Sequence, residues 1–252
     1  MKTTPSAAFF GFVAPLFGCV AMALLSGAAS GQTTINVDFN TTDGSSPTYS
    51  GLGAAPDIGT TWNGLGIGAE AGGAINPSFT SGALLTSTGT ASAVTVSLGS
   101  FKAYESDENF GTTTPAPALM TDFAYQQNLG PGGPDSTFSL ANLNPSFTYD
   151  LYLYSQNGGY ANTATIFTVN GISQTATNLG TPPPGFVLNE NYVLFLGLVA
   201  DGSGTISGTF NDVAAANNGA FNGLQLVEIV PEPTAVALLA FASLLTVRRR
   251  RS

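Results

Sequence analysis

The sequence predicts an all-β fold, an antiparallel β-sandwich or jelly roll of about ten strands. A signal helix and a short C-terminal transmembrane helix flank it. Three observations carry the prediction. Between the two ends, apolar runs are short, alternate with polar residues and are bounded by turn signals. The polar residues are mostly Thr, Ser, Asn and Gln, which suit strand faces and turns better than helix surfaces. No long stretch shows a 3.6-residue period except the two greasy ends. Hydrophobic residues make up 43% of the 252, enough to bury a core, although charged residues are only 8% against a usual ~25%.

Residues 1–31 read as a signal peptide. Lys2 precedes an almost wholly apolar run from Ala7 to Leu25, and "SGAASGQ" then offers small residues to a signal peptidase. Ala28 and Ser30 fit a small-x-small pattern, so the expected cut lies near Ser30 or Gly31. One rival is a retained anchor, which Gly11, Pro15 and Gly18 weaken. Another is a lipoprotein signal at Cys19, where Phe17 fits poorly.

Residues 32–229 form the expected β-domain. "TINVDF" (34–39), "AVTVSL" (93–98), "STFSLANL" (136–143) and "FTYDLYLYS" (147–155) read as strands. "ATIFTV" (164–169) leads through Asn170-Gly171 into "ISQTAT" (172–177), a strong hairpin signal. "NYVLFLGLVA" (191–200) is a longer apolar run, expected to be a central strand, and "GTISGTF" (204–210) and "AFNGLQLVEI" (220–229) close the domain. Residues 41–66 and 104–120 read as loops, and the glycines of "GLGIGAEAGG" as turn residues, not a phosphate cradle.

Residues 230–252 are set apart. Thr234 to Val247 is a run of fourteen uncharged residues. As a helix it spans ~21 Å, short of a ~30 Å bilayer core, though arginine snorkelling extends its reach. Pro231 and Pro233 mark its start, and Arg248, Arg249, Arg250 and Arg251 its end. The arginines should stay cytoplasmic. By these residues alone, a plain tail anchor is an equal reading.

This string of Pro231-Glu232-Pro233, apolar helix and Arg248 to Arg251 resembles the PEP-CTERM sorting signal, over the last 22 residues. The resemblance implies export to the cell envelope or extracellular matrix of a Gram-negative bacterium that makes extracellular polysaccharide. It also implies recognition by an exosortase, a membrane protease-transpeptidase, and a cut at or near Pro-Glu-Pro. Many such tails carry glycines in the apolar run, and this one has none between Thr234 and Val247. The body in turn resembles the galactose-binding-like jelly roll, malectin-like modules included. Tyr149 to Tyr154, then Val169-Asn170-Gly171, then Asn222-Gly223-Leu224-Gln225-Leu226 occur in the expected order.

Charge narrows the function. Between Gln32 and Val230, fourteen carboxylates face a single cation, Lys102, a formal −13. Such a surface cannot neutralise phosphates, so no nucleic-acid partner is expected. The chain has no His, and its one Cys lies inside the signal. Imidazole bases, Ser-His-Asp triads, thiolates and disulfides are therefore out of reach of the mature body.

Carboxylates remain for catalysis. Glu70, Asp107, Glu108, Asp122, Asp150 and Glu190 are candidates, but their spacing singles out no acid and nucleophile. "ESDEN" (105–109) reads as a solvated loop or an oxygen-rich calcium site without the EF-hand pattern, and no cofactor is otherwise expected. For sugar binding, Trp62, Tyr152, Tyr154, Asn157 and Tyr160 are the candidate set, combining aromatic faces with amides. The plain reading is that Trp62 plugs the core and the tyrosines pack under a loop. Two function classes follow. One is a non-enzymatic envelope or matrix protein that binds polysaccharide, and the other is a secreted carboxylate-dependent glycan hydrolase.

Overall fold

The computed structural model describes residues 32–42, 47–69, 76–105, 117–126, 135–157, 163–178, 185–213 and 219–230. All of them lie in the unit Gln32–Ser252. The signal peptide with Ser30 and Gly31, and the tail with Pro231, Glu232, Pro233 and Arg248 to Arg251, lie outside the described residues. No helix among the described residues is long and apolar enough to cross a membrane.

The described chain is an all-β sandwich of two sheets with twelve strands, two more than expected, and one five-residue helix. The first sheet contains β1 (Thr33–Thr41), β2 (Asn63–Gly68), β7 (Thr148–Tyr154), β10 (Tyr192–Val199) and β12 (Gly223–Ile229), in the order β10-β7-β12-β1-β2. The second contains β3 (Asn76–Thr80), β4 (Thr95–Glu105), β6 (Ser136–Ala141), β8 (Thr163–Val169), β9 (Ile172–Asn178) and β11 (Ile206–Asp212). Their order is β3-β4-β6-β11-β8-β9, with β5 (Asp122–Tyr125) paired to β4. The helix α1 (Pro117–Thr121) precedes β5.

The alternating runs become strands because one face of each closes the core. Ile35, Val37 and Phe39 of β1 point inward, as do Leu151 and Leu153 of β7 and Leu224 and Leu226 of β12. Val96, Leu98, Phe138, Leu140, Phe167 and Phe210 face them from the second sheet. Phe221 sits at the centre, its ring 5.0–5.4 Å from those of Phe39, Phe138, Phe167 and Phe210. Truncating such a ring costs about 3–5 kcal/mol. In β4 the inward set Val96, Leu98, Phe101, Ala103 breaks strict alternation. Ser100, with φ of 55°, lies where the inward parity changes.

The Asn170-Gly171 hairpin forms as expected. Val169 pairs with Ile172, and φ is 50° and 76° at the two turn residues, as a type I′ turn requires.

Three expectations are corrected. "GLGIG" is not turn but part of β2, an edge strand that runs parallel to β1, so the sandwich is not wholly antiparallel. Its glycines carry no apolar periodicity, which hid it. "NYVLFLGLVA" is not central: β10 is an edge strand. A register shift between Phe195 and Leu198, with Gly197 at φ 63°, interrupts its ladder to β7, and Gln174 of β9 donates to the Leu194 carbonyl at 2.6 Å. Both devices blunt an exposed edge. Finally, the loop-like 104–120 region contributes the end of β4 and most of α1, whose Leu119 and Met120 are fully buried.

Candidate functional site

The two outer faces of the sandwich differ. On the five-stranded sheet, the outward residues of neighbouring strands fall into rows. One row is Leu194, Tyr152, Gln225 and Asn36, and the next is Tyr192, Tyr154, Gly223, Asp38 and Gly64. The crossover from β1 to β2 folds back over them as a strap (residues 47–62).

Hydrogen bonds tie the strap down. Ala54 N donates to Tyr154 Oη at 2.6 Å and Ala55 N to Gln225 Oε1 at 2.9 Å. The Tyr154 hydroxyl donates in turn to Gln225 Oε1. Gln225 Nε2 donates to Asn36 Oδ1 at 2.8 Å, and Asn36 Nδ2 to the Thr61 carbonyl at 3.0 Å. A buried amide chain satisfied in this way rigidifies the strap, because leaving any member unpaired costs the desolvation of that group. Gly53 makes the approach possible: a Cβ there would collide with the Gln225 amide.

The predicted sugar-binding aromatics lie under this strap. Trp62 is 7% exposed and packs with Leu119, Met120 and Tyr154, and its Nε1 donates to the Gly51 carbonyl at 2.9 Å. Tyr49 meets Trp62 edge-on at 5.1 Å, and Phe186 lies 5.1 Å from Tyr154. Tyr154 is fully buried, which pushes its hydroxyl well above the usual range. Tyr152 is buried and stacks on Tyr192 at 6.0 Å, and Asn157 is buried too. The structure thus gathers Trp62, Tyr152 and Tyr154, but as packing, and none presents an open ring face to a sugar. Tyr160 lies outside the described residues.

Of the candidate carboxylates, the three among the described residues do not assemble into a pair at a groove. Asp150 of β7 is half-buried and accepts from Gly197 N at 2.8 Å. Glu190, exposed in the turn before β10, lies at least five strand positions away, roughly 15 Å or more, beyond the ~10 Å limit for a glycosidase pair. Asp122 is buried. Glu70, Asp107 and Glu108 lie outside the described residues, as does most of the "ESDEN" loop. No group of three or more His, Cys, Asp or Glu suited to a metal occurs among the described residues.

Asp38 was not among the sequence candidates. It is fully buried beneath the strap, accepts from Tyr49 N at 2.8 Å through Oδ2, and has no partner for Oδ1. Burial pushes its carboxyl up to about 7, the Tyr49 N–H opposes this, and the charge of Asp122 adds to it.

The second sheet's outer face carries a groove of about 690 Å³. It crosses β3, β4, β6, β11 and β8. Cross-strand register builds its floor: Ser97, Ser139 and Ser207 form one row, and Gly99, Thr137, Thr209 and Thr168 the next. Inward partners such as Phe138 and Leu140 fix which side these residues face. Among the described residues, no charged side chain lines the groove. At its margins hydroxyls bond each other, Thr80 with Ser97 at 3.0 Å and Thr168 with Ser173 at 2.8 Å. Thr137, Ser139, Ser207 and Thr209 have no such bond among the described residues. Four uncommitted hydroxyls on a rigid ladder therefore face an uncharged trough, which suits a neutral, hydroxyl-rich ligand.

No family model matches the chain, and no curated protein does either. Among solved structures, TmCBM61 in complex with β-1,4-galactotriose is 12% identical with a TM-score of 0.29, over 54% of this chain and 88% of that one. The enzymatically active domain of bacteriophage CBA120 tailspike protein 4 is 12% identical with a TM-score of 0.31, over 60% of this chain and 19% of that one. A Podospora anserina GH26-CBM35 β-(1,4)-mannanase is 14% identical with a TM-score of 0.26, over 53% and 28%. Scores at this level mark a partial overlap of strands and carry no inference about this chain.

Proposed function

We propose that the body is a non-catalytic jelly-roll domain that holds a neutral polysaccharide along the groove of its second sheet. The protein carrying it is exported, cut by signal peptidase, and sorted through its PEP-CTERM-like tail by an exosortase to the cell envelope or matrix. The observation that carries the binding reading is the groove itself, whose floor is hydroxyls and glycine and whose lining holds no charge among the described residues. A polyhydroxylated ligand exchanges its water hydrogen bonds there for Ser and Thr partners without desolvating any ion. An acidic body repels anionic polymers, so the preference is for neutral chains. A groove without a carboxylate offers no general acid for glycoside cleavage.

Native affinity electrophoresis of the purified chain tests this, in gels containing neutral glucans, mannans or galactans and in matched gels containing alginate or pectate. Retardation in a neutral gel and none in the anionic gels is expected, with no release of reducing ends on long incubation. Free migration in every gel overturns the binding reading, and release of reducing ends overturns the non-catalytic one.

A further inference from the structure

Resting on that reading, we infer that the groove's ligand is a single extended, diequatorially linked hexose chain. It lies across the strands and is bound through an internal stretch of about four rings. Five strands leave four intervals of about 4.8 Å, so the floor runs roughly 19 Å. It is two outward positions wide, roughly 7 Å. A floor of that width takes one sugar chain.

The hydroxyl pattern gives the direction. A pyranose in an extended chain is about as long as one strand interval, so each ring meets a fresh strand. The register repeats like groups over two successive intervals, Ser97, Ser139 and Ser207 in one row and Thr137, Thr209 and Thr168 in the next. Of these, Thr137, Ser139, Ser207 and Thr209, on β6 and β11, are the uncommitted ones, and each rotates to donate or accept as the ring above requires. An α-1,4-linked chain curls away from such a straight ladder, whereas a diequatorially linked one follows it.

Nothing in the lining captures a chain end. End-on recognition needs a closed pocket with polar groups converging on one ring. This trough instead reaches the sheet edge at β3, through Ser78, with the same shallow hydroxyl floor.

Titration calorimetry of the full chain with β-1,4-linked gluco-oligosaccharides of increasing length tests the inference, alongside an α-1,4 series of the same lengths. Affinity should rise about tenfold or more from two rings to four and then level off. Reduction of the terminal ring of the hexamer to its alditol should change affinity by less than about twofold. The α-1,4 series should bind about tenfold more weakly or not at all. Full affinity already at one or two rings, or its loss on end reduction, overturns the inference in favour of end-on capture while the neutral-glycan reading stands. Equal binding of the α-1,4 series overturns the extended chain alone. No heat with any neutral saccharide overturns the binding reading and the inference together.

Discussion

Asp38 is the residue whose environment departs furthest from what its position in the sequence suggests. In "TINVDF" it reads as one more polar residue on the solvent side of a strand. The strap makes that side interior. Its cross-strand neighbours are Gly223 and Gly64, which supply no side chain to pair with. Its one hydrogen bond comes from Tyr49 N, and its carboxyl is pushed up to about 7. The unfolded carboxyl titrates near 3.8, so the folded protein holds the proton more tightly. The contribution of Asp38 to stability is therefore greatest below about pH 4, falls as pH rises towards 7, and is flat beyond. A rise from 3.8 to about 7 corresponds to a loss on the order of 4 kcal/mol at most. Asp38→Asn removes the ionisation while leaving an oxygen for Tyr49 N. Urea unfolding midpoints between pH 4 and 8 should decline for the parent and stay level for the variant, which should be the more stable at pH 8. A parent profile that rises with pH contradicts this account of Asp38.

At the scale of elements, the sequence shows strands where alternation is strong and conceals them where glycine or burial on both sides disrupts it. The runs at 34–39, 136–141, 164–169 and 172–177 became strands, because one face of each closes the core, through Ile35, Val37 and Phe39, Phe138 and Leu140, Phe167 and Val169, and Ala176. β2 stayed hidden because "NGLGIG" has too few side chains to show a period. β5 stayed hidden because all four residues of "DFAY" are buried, so nothing alternates. The strap was read as a loop, correctly, but that reading does not reveal that the loop closes a sheet face. What closes it is long-range pairing, with Ala54 meeting Tyr154 100 positions later and Ala55 meeting Gln225 170 positions later. Trp62 illustrates the consequence. A tryptophan in a glycine-flanked loop suits a sugar platform, yet here it joins the strap to α1 and β7. Trp62→Ala should destabilise the fold by about 3 kcal/mol or more, read from chemical denaturation. Glycan affinity measured well below the variant's unfolding midpoint should be unchanged. Retained stability with lost affinity would put the sugar under the strap instead.

For the whole molecule, the arrangement is one covered face and one open face on a common core. The covered face holds the aromatics, the amide chain and the buried carboxylate, all engaged in holding the strap. The open face holds the groove of small hydroxyl residues, with no charged side chain among the described residues that line it. That groove was not legible in the sequence, because Ser97, Thr137, Ser139, Ser207 and Thr209 are unremarkable one at a time and become a site only through register across β4, β6 and β11. An uncharged trough on a body with a formal charge of −13 also implies that salt should have little effect on binding a neutral chain. The most direct test places a carboxylate in the trough. Ser207→Glu and Thr137→Glu change exposed positions on the groove floor, and Val199→Glu changes an exposed position on β10 of the other sheet. Calorimetric affinity for a neutral β-1,4-glucan should fall about tenfold or more in each groove variant, with the unfolding midpoint within ~0.5 kcal/mol of the parent, and stay level in Val199→Glu. Undiminished affinity in both groove variants would contradict the assignment of the ligand to this face.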